Sequence, residues 1–110
     1  MDFNEYQELA ARTLNSNITQ NERLSMLSMG LAGESGEVVD LLKKHVYHQH
    51  HLDVGKLRKE LGDVLWYIAG FASVYGIPLS AIAEINIDKL KERYPNGFSV
   101  ERSINRKGEE

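Results

Sequence analysis

The chain has 110 residues, 42% of them hydrophobic, and a formal net charge of -3 from 13 basic and 16 acidic residues. This size and composition are those of one globular domain, predicted over residues 1–110. The charge balance argues against a protein that binds nucleic-acid polymers, and the absence of cysteine excludes disulfides, thiolate metal sites and cysteine nucleophiles.

No targeting segment is expected. The N-terminal stretch MDFNEYQELA carries acidic residues where a signal peptide carries basic ones followed by an apolar run. The longest apolar run, VLWYIAGFA at 64–72, is much shorter than the roughly 20 residues that a membrane-spanning helix needs. We therefore expect a cytoplasmic protein without a membrane partner.

Apolar residues at helical spacing predict four helices. They cover residues 2–14, 20–47, 54–75, and a stretch from Pro78 to the residue before Pro95. The third helix has Asp53 as its N-cap. A YPNG turn follows the fourth helix, and the charged tail is predicted to be flexible from about residue 105 to 110. Short loops and the absence of alternating patterns predict an all-α bundle whose second and third helices form an antiparallel hairpin.

Two pairs of acidic residues lie on the apolar stripes of the hairpin. Glu34 and Glu37 form an ExxE pattern on the second helix, and Glu60 and Asp63 form ExxD on the third. The midpoint of the four positions is 48.5, which falls inside the predicted loop YHQHHLD. Folding the hairpin about that loop brings the pairs level, so four carboxylates are expected to converge beside an apolar seam.

Such a cluster is unfavourable without a cation, because like charges repel and partial burial removes their hydration. Mg²⁺ prefers carboxylate oxygens as ligands. A single ExxE pair is more often a solvated helix surface, but two pairs in register favour a divalent-cation site. Four glycines beside the acids either leave space for a metal and a phosphate or allow close helix packing: Gly30, Gly33, Gly36 and Gly62.

A cationic face is predicted on the fourth helix. Asn86, Lys89 and Arg93 share one side of it, where they suit a phosphate group. The alternative is an ordinary solvated basic face near a helix C-terminus. Tyr67 lies one turn after Asp63 and is predicted to reach a sugar or base. The histidines near the loop are expected to be solvated rather than bound to zinc: His45, His48, His50 and His51.

Two stretches carry a resemblance to a known family. GLAGESGEVVDLLKK at 30–44 and LRKELGDVLWYIAGFA at 57–72 resemble the all-α nucleoside triphosphate pyrophosphohydrolases of the MazG type, whose signature is the ExxE and ExxD pairs. YQELAARTL and NIDKLKERYPNGFS are similar to the flanking helices of that family. The resemblance therefore covers nearly the whole chain.

The resemblance implies a hydrolase that converts a nucleoside triphosphate into its monophosphate and pyrophosphate, with Mg²⁺, or Mn²⁺ in its place, in a nucleotide house-cleaning role. It implies these metal ligands: Glu34, Glu37, Glu60 and Asp63. Glu37 would help to activate water, with Glu34 and Lys89 as the other catalytic residues. The substrate would be bound by Lys89, Asn86, Arg93 and Tyr67. A homodimer or homotetramer that shares a four-helix core is also implied.

Two alternatives stay open. A relative that shares the helical acid motif acts on one dedicated substrate, such as phosphoribosyl-ATP, and would be recognised by which substrate releases pyrophosphate. A catalytically silent helical dimerisation module with a vestigial cation site would turn over no nucleotide at all.

Overall fold

The computed structural model describes residues 1–106, so part of the tail predicted to be flexible, 107–110, lies outside the described residues. It contains five helices: α1 (Phe3–Ala11), α2 (Gln20–Tyr47), α3 (Val54–Val74), α4 (Leu79–Arg93) and α5 (Val100–Ile104). Within residues 1–106 the β-structure is limited to an isolated bridge between Pro95 and Gly97. The all-α prediction is confirmed.

Side-chain caps fix the starts of the first three helices. The amide of Glu5 donates to Asp2 at 2.8 Å, and that of Glu22 donates to Thr19 at 3.1 Å, each within a capping box. Asp53 caps α3 as predicted, since its carboxylate accepts from the amide of Lys56 at 3.0 Å. Each such cap stabilises a helix by about 1 kcal/mol.

Two predicted helix ends are wrong by a few residues. α1 ends at Ala11 rather than at 14, because Thr13 closes a tight turn in which both its amide and its hydroxyl donate to the carbonyl of Ala10. Pro78 precedes α4 as its N-cap residue, with extended backbone, rather than forming its first helical residue.

α2 and α3 form the predicted antiparallel hairpin, and their contacts give its register. The ring of Tyr67 packs where a Cβ of Gly30 would lie, and Leu27 packs against Gly70. Position 30 of α2 therefore faces position 67 of α3, and position 27 faces position 70, as in an antiparallel pair. This register agrees with folding about the predicted midpoint.

The core is small and lies near the far end of the hairpin from its loop. Five residues are buried among those described: Leu27, Ala69, Gly70, Ala72 and Leu79. α1 packs against α3, and the indole of Trp66 donates to the hydroxyl of Thr13 at 2.7 Å. Most of the remaining apolar surface stays accessible.

α4 turns away from α3 at a bend of 104°. It packs against α1, and within residues 1–106 it has no comparable packing against α2 or α3. The radius of gyration is 17.0 Å, against about 13 Å for a compact domain of this length. In the described chain no single helix meets the length and apolarity needed to cross a membrane; the bent pair of α3 and α4 meets them only when counted together.

Candidate metal centre

Three carboxylates meet across the hairpin. Glu34 from α2 and Glu60 and Asp63 from α3 each offer an oxygen that lies within 4.8 Å of the other two. Glu34 and Glu60 are half-buried, whereas Asp63 is exposed. The side chains converge because the antiparallel register places position 34 opposite the turn of α3 that carries both acids. We call these three residues the acidic cluster.

The cluster is electrostatically strained without a cation. The pKa of Glu34 is raised above its ordinary value, first by its hydrogen bond with the Glu60 carboxyl, then by loss of hydration, and then by the negative charges of Asp63, Glu60 and Glu37. A raised pKa means that the folded chain resists ionising all of these groups together.

The donor set fits a hard divalent cation. The three ligating groups are carboxylates, which favour Mg²⁺, Mn²⁺ or Ca²⁺ over softer metals. Within residues 1–106 the ion pairs given by the structure join Asp40 to Lys43 and Lys44, and none of them involves the acidic cluster. A bound cation would therefore supply the missing positive charge.

Glu37 stands apart from the other three acids. The expectation was four converging carboxylates, but Glu37 is exposed and does not belong to the cluster. A step of three residues rotates a side chain by about 60° around the helix, and here this rotation carries Glu37 toward solvent. It stays close enough for its charge to raise the pKa of Glu34.

The glycines divide into two groups. Gly30 does not leave space for a ligand, because the ring of Tyr67 fills the position that its side chain would occupy. At Gly33, Gly36 and Gly62 an added Cβ would meet no atom within 4 Å. The close-packing alternative therefore holds at Gly30, and the expectation of open space holds at the other three.

Tyr67 is therefore partly committed to packing. Its ring covers Gly30 and meets that of Trp66 edge to face, with centroids 5.0 Å apart. The side chain is half-buried and stands one helical turn from Asp63. Its predicted contact with a nucleoside stays a prediction.

The predicted cationic residues are not brought to the acidic cluster within one chain. Asn86 and Lys89 line a groove between α4, α1 and α3, whereas Arg93 is half-buried and its carbonyl accepts from Arg102. With helices that rise 1.5 Å per residue and the observed bend, the axes at Asp63 and Lys89 are roughly 20 Å apart. A lysine side chain does not span that distance.

Tyr6 is a residue of α1 that senses the cluster and that the sequence does not single out. Its pKa is raised by burial and secondarily by the negative charge of Asp63. No spacing in the sequence relates α1 to the middle of α3. This electrostatic coupling depends on tertiary packing and carries no local signal.

The histidines close the end of the hairpin. Nδ1 of His45 lies 2.8 Å from the carbonyl oxygen of His50, and the rings of His48 and His50 are 6.3 Å apart. Because a carbonyl only accepts, Nδ1 of His45 is the donor. Among the described residues, the group with metal-ligand spacing is the acidic cluster and contains no histidine.

The comparisons with known proteins agree with this geometry. The sequence profile of the MazG nucleotide pyrophosphohydrolase domain matches residues 22–98, a segment that contains α2 from its third residue onward and all of α3 and α4. The Gene 37 protein of Mycobacterium phage L5 is 39% identical over 82 residues, which cover 69% of this chain and 70% of the phage protein. No solved structure gives a significant match. The chain, with its acidic cluster inside the matched segment, belongs to the MazG nucleotide pyrophosphohydrolase family.

Proposed function

We propose that this protein is a Mg²⁺-dependent nucleoside triphosphate pyrophosphohydrolase, which converts a ribo- or deoxynucleoside triphosphate and water into the monophosphate and pyrophosphate. The observation that carries the proposal is the acidic cluster, formed by the ExxE and ExxD helices of a MazG chain. A role in clearing surplus or damaged nucleotides, in the cytoplasm where these substrates occur, follows from the same proposal.

The chain's own residues would divide the work between holding the cation and activating water. Glu34, Glu60 and Asp63 would hold Mg²⁺, or Mn²⁺ in its place. When bound, such a cation supplies positive charge to the phosphate oxygens and to the leaving pyrophosphate. Glu37 is exposed beside the cluster, where it would complete the ligand set or accept the proton of the attacking water. The bond broken is a P–O bond of the anhydride that links the α-phosphate to the β-phosphate. It lies on one side or the other of the bridging oxygen.

The groove on α4 supports a binding role for Asn86 and Lys89. It has a volume of about 640 Å³, and besides these two residues its lining includes the apolar Leu65 and Ile82 and the acidic Asp88 and Glu92. A lysine binds phosphate as a point charge, and an amide adds directional hydrogen bonds. Arg93, on the same face, would contribute to the triphosphate site, and Tyr67 to the nucleoside.

A second copy of the chain would bring such a phosphate-binding face to the acidic cluster. The chain exposes 8113 Å², whereas a compact monomer of 12.5 kDa exposes about 6,200 Å². The excess of about 1,900 Å² is more than twice the roughly 800 Å² that each partner buries in a stable complex. This supports a homodimer or homotetramer whose active sites combine residues of different subunits.

The test is pyrophosphate release from a panel of ribo- and deoxynucleoside triphosphates, with Mg²⁺ or with EDTA, by the parent and by Glu60→Gln. We expect metal-dependent formation of monophosphate and pyrophosphate by the parent and a loss of at least about 100-fold in the variant, the scale of removing a metal ligand. Release of single phosphate would contradict the proposed bond cleavage. No turnover of any nucleotide would favour a dedicated substrate or a silent module.

A further inference from the structure

α4 begins without a capping side chain of its own, because its N-cap residue is Pro78. Its first amides find acceptors on another helix. The amide of Leu79 donates to Oε1 of Gln7 at 2.8 Å, and the amide of Ser80 donates to Oδ1 of Asn4 at 3.1 Å. These acceptors are 72 and 76 residues away in the sequence, so they fix α4 against α1 rather than merely closing a local turn.

The same two side chains also donate. Nε2 of Gln7 donates to the carbonyl of Ile77 at 2.8 Å, and Nδ2 of Asn4 donates to the hydroxyl of Ser80 at 2.9 Å. Asn4 and Gln7 are three residues apart on α1 and therefore share one face. Four of their hydrogen bonds hold the segment at which the chain turns from α3 into α4, and in a fifth Nε2 of Gln7 donates to the hydroxyl of Ser73 on α3 at 3.4 Å. We call this pair of residues the clip.

α4 has few other restraints on its direction. At its far end, Arg102 donates from Nε to the carbonyl of Arg93 at 2.8 Å and from Nη2 to that of Glu92 at 3.1 Å. Both ends of α4 are thus held by side chains from outside it, while its sides pack mainly on α1. The chain leaves α3 through a turn at Gly76, whose φ is 64°, and after this bend of 104° the polar contacts hold α4 against α1.

We propose that Asn4 and Gln7 are positioning residues for substrate binding, which hold α4 at its angle to α3 and so place Asn86 and Lys89 for the phosphates. This inference rests on the proposed function, in which those two side chains bind the triphosphate. The acidic cluster lies on α2 and α3 and does not depend on the clip. Losing the clip therefore weakens nucleotide binding and leaves metal binding in place.

The first experiment compares the parent with the double variant N4L/Q7M, in which apolar side chains of similar size remove all five hydrogen bonds. We expect KM for the best triphosphate substrate to rise about tenfold, the effect of one net hydrogen bond, with kcat retained. The Kd for Mn²⁺, measured by electron paramagnetic resonance, should stay within about twofold of the parent, since the carboxylates keep their positions. Gln20→Met, the same change at an exposed position of α2, is the matched control.

The second experiment measures the position of α4 relative to α3 and does not depend on enzyme activity. The chain has no cysteine, so K59C/K91C places one spin label on an exposed position of α3 and one on α4. Double electron–electron resonance, with labelled protein diluted in unlabelled protein, gives the distance within one chain. We expect a narrow distribution in the parent and in Gln20→Met, and a broadened or shifted one in N4L/Q7M.

The outcomes separate the two proposals. An unchanged distance distribution in N4L/Q7M overturns the role of the clip, and a changed distribution with an unchanged KM overturns its link to substrate. A parent that hydrolyses no nucleotide contradicts the proposed function, while the distance measurement still decides whether the clip sets the angle. If N4L/Q7M loses its helical circular dichroism, Ser80→Ala takes its place. This variant removes only the hydrogen bond from Nδ2 of Asn4, so we expect a smaller shift in the distance distribution.

Discussion

Glu60 is the residue that raises the pKa of Glu34 most strongly, through their shared hydrogen bond. Glu60→Gln removes one of the clustered negative charges, so without metal we expect a melting temperature equal to or above that of the parent. Added Mg²⁺ should stabilise the parent more than the variant, because a ligand stabilises the state that binds it. Thermal unfolding with EDTA and with millimolar Mg²⁺ measures both effects.

The control for this comparison is Glu8→Gln, an exposed glutamate on α1. Its response to Mg²⁺ should equal that of the parent. Equal Mg²⁺ responses of the parent and Glu60→Gln would mean that Glu60 is not a ligand.

Gly30 and Gly33 stand three residues apart on α2 and should respond oppositely to alanine. At Gly30 the added Cβ collides with the ring of Tyr67, which costs about 1–3 kcal/mol when a packed side chain must move. At Gly33 no atom lies within 4 Å, so alanine should stabilise the helix by about 0.5–1 kcal/mol. Urea unfolding of both variants measures the free energies, and a gain in stability in Gly30→Ala would contradict the observed packing.

At the level of single residues, the sequence located the acids but not all of their surroundings. Helical spacing and the hairpin midpoint were enough to bring Glu34, Glu60 and Asp63 together, because each step depends on local geometry. The effect of Asp63 on the pKa of Tyr6 and the filling of the Gly30 position were not predictable in this way. They depend on which ring of a neighbouring helix reaches a given gap.

Among the helices, α2 carries an ion-pair group close to its loop end. Asp40 contacts Lys44 at 2.8 Å and Lys43 at 3.4 Å. The hydrogen bond from Lys44 is the largest cause that lowers the pKa of Asp40. A carboxylate with a lowered folded-state pKa stabilises the fold above its unfolded-state pKa, and this contribution disappears as the pH falls through the folded-state pKa.

Asp40→Asn should therefore be less stable than the parent at neutral pH, and the difference should vanish in acid. Because the pair is exposed, the effect should be small and weaker at high salt. Melting temperatures of both proteins across pH 2–7, at low and high salt, measure it. A difference that persists unchanged to the lowest pH would show that the carboxylate charge is not its cause.

Helix positions were largely predictable, whereas the direction of α4 was not. The apolar stripes and the caps at Asp53 and before Pro95 are local signals, and the observed bounds follow them. The start of α4 is held by Asn4 and Gln7, which lie more than 70 residues earlier in the chain. Local propensity contains no information about such a partner.

At the scale of the whole molecule, one copy of the chain leaves apolar surface exposed that the proposed second copy would cover. Two of the residues that line the groove show this, since Phe3 is 49% exposed and Ile85 71% exposed. Isolated apolar residues on a surface are ordinary, but a continuous apolar groove indicates an interface. The sequence predicted an oligomer by resemblance, and the exposed area now gives that prediction a physical basis.

A charge in this groove should therefore disrupt assembly. We expect the parent to have a mass in solution that is a multiple of 12.5 kDa, and Ile85→Lys to raise the dissociation constant between subunits by about 10–100-fold, the scale of losing one buried aliphatic side chain. Triphosphate hydrolysis should fall with it, since the acidic cluster and α4 of different subunits no longer meet. Analytical ultracentrifugation across a range of concentrations, with activity measured in parallel, tests both expectations.

Ile104→Lys is the matched control for Ile85→Lys, because Ile104 is 77% exposed on α5 and does not line the groove. It makes the same chemical change at similar exposure, so its effect on solubility and net charge is the same. Assembly and activity that survive in Ile104→Lys but not in Ile85→Lys would locate the subunit contact on the groove. An active monomer of the parent at every concentration would instead mean that α4 reaches the acidic cluster within one chain, by a movement that increases its bend from α3 and folds it back along that helix.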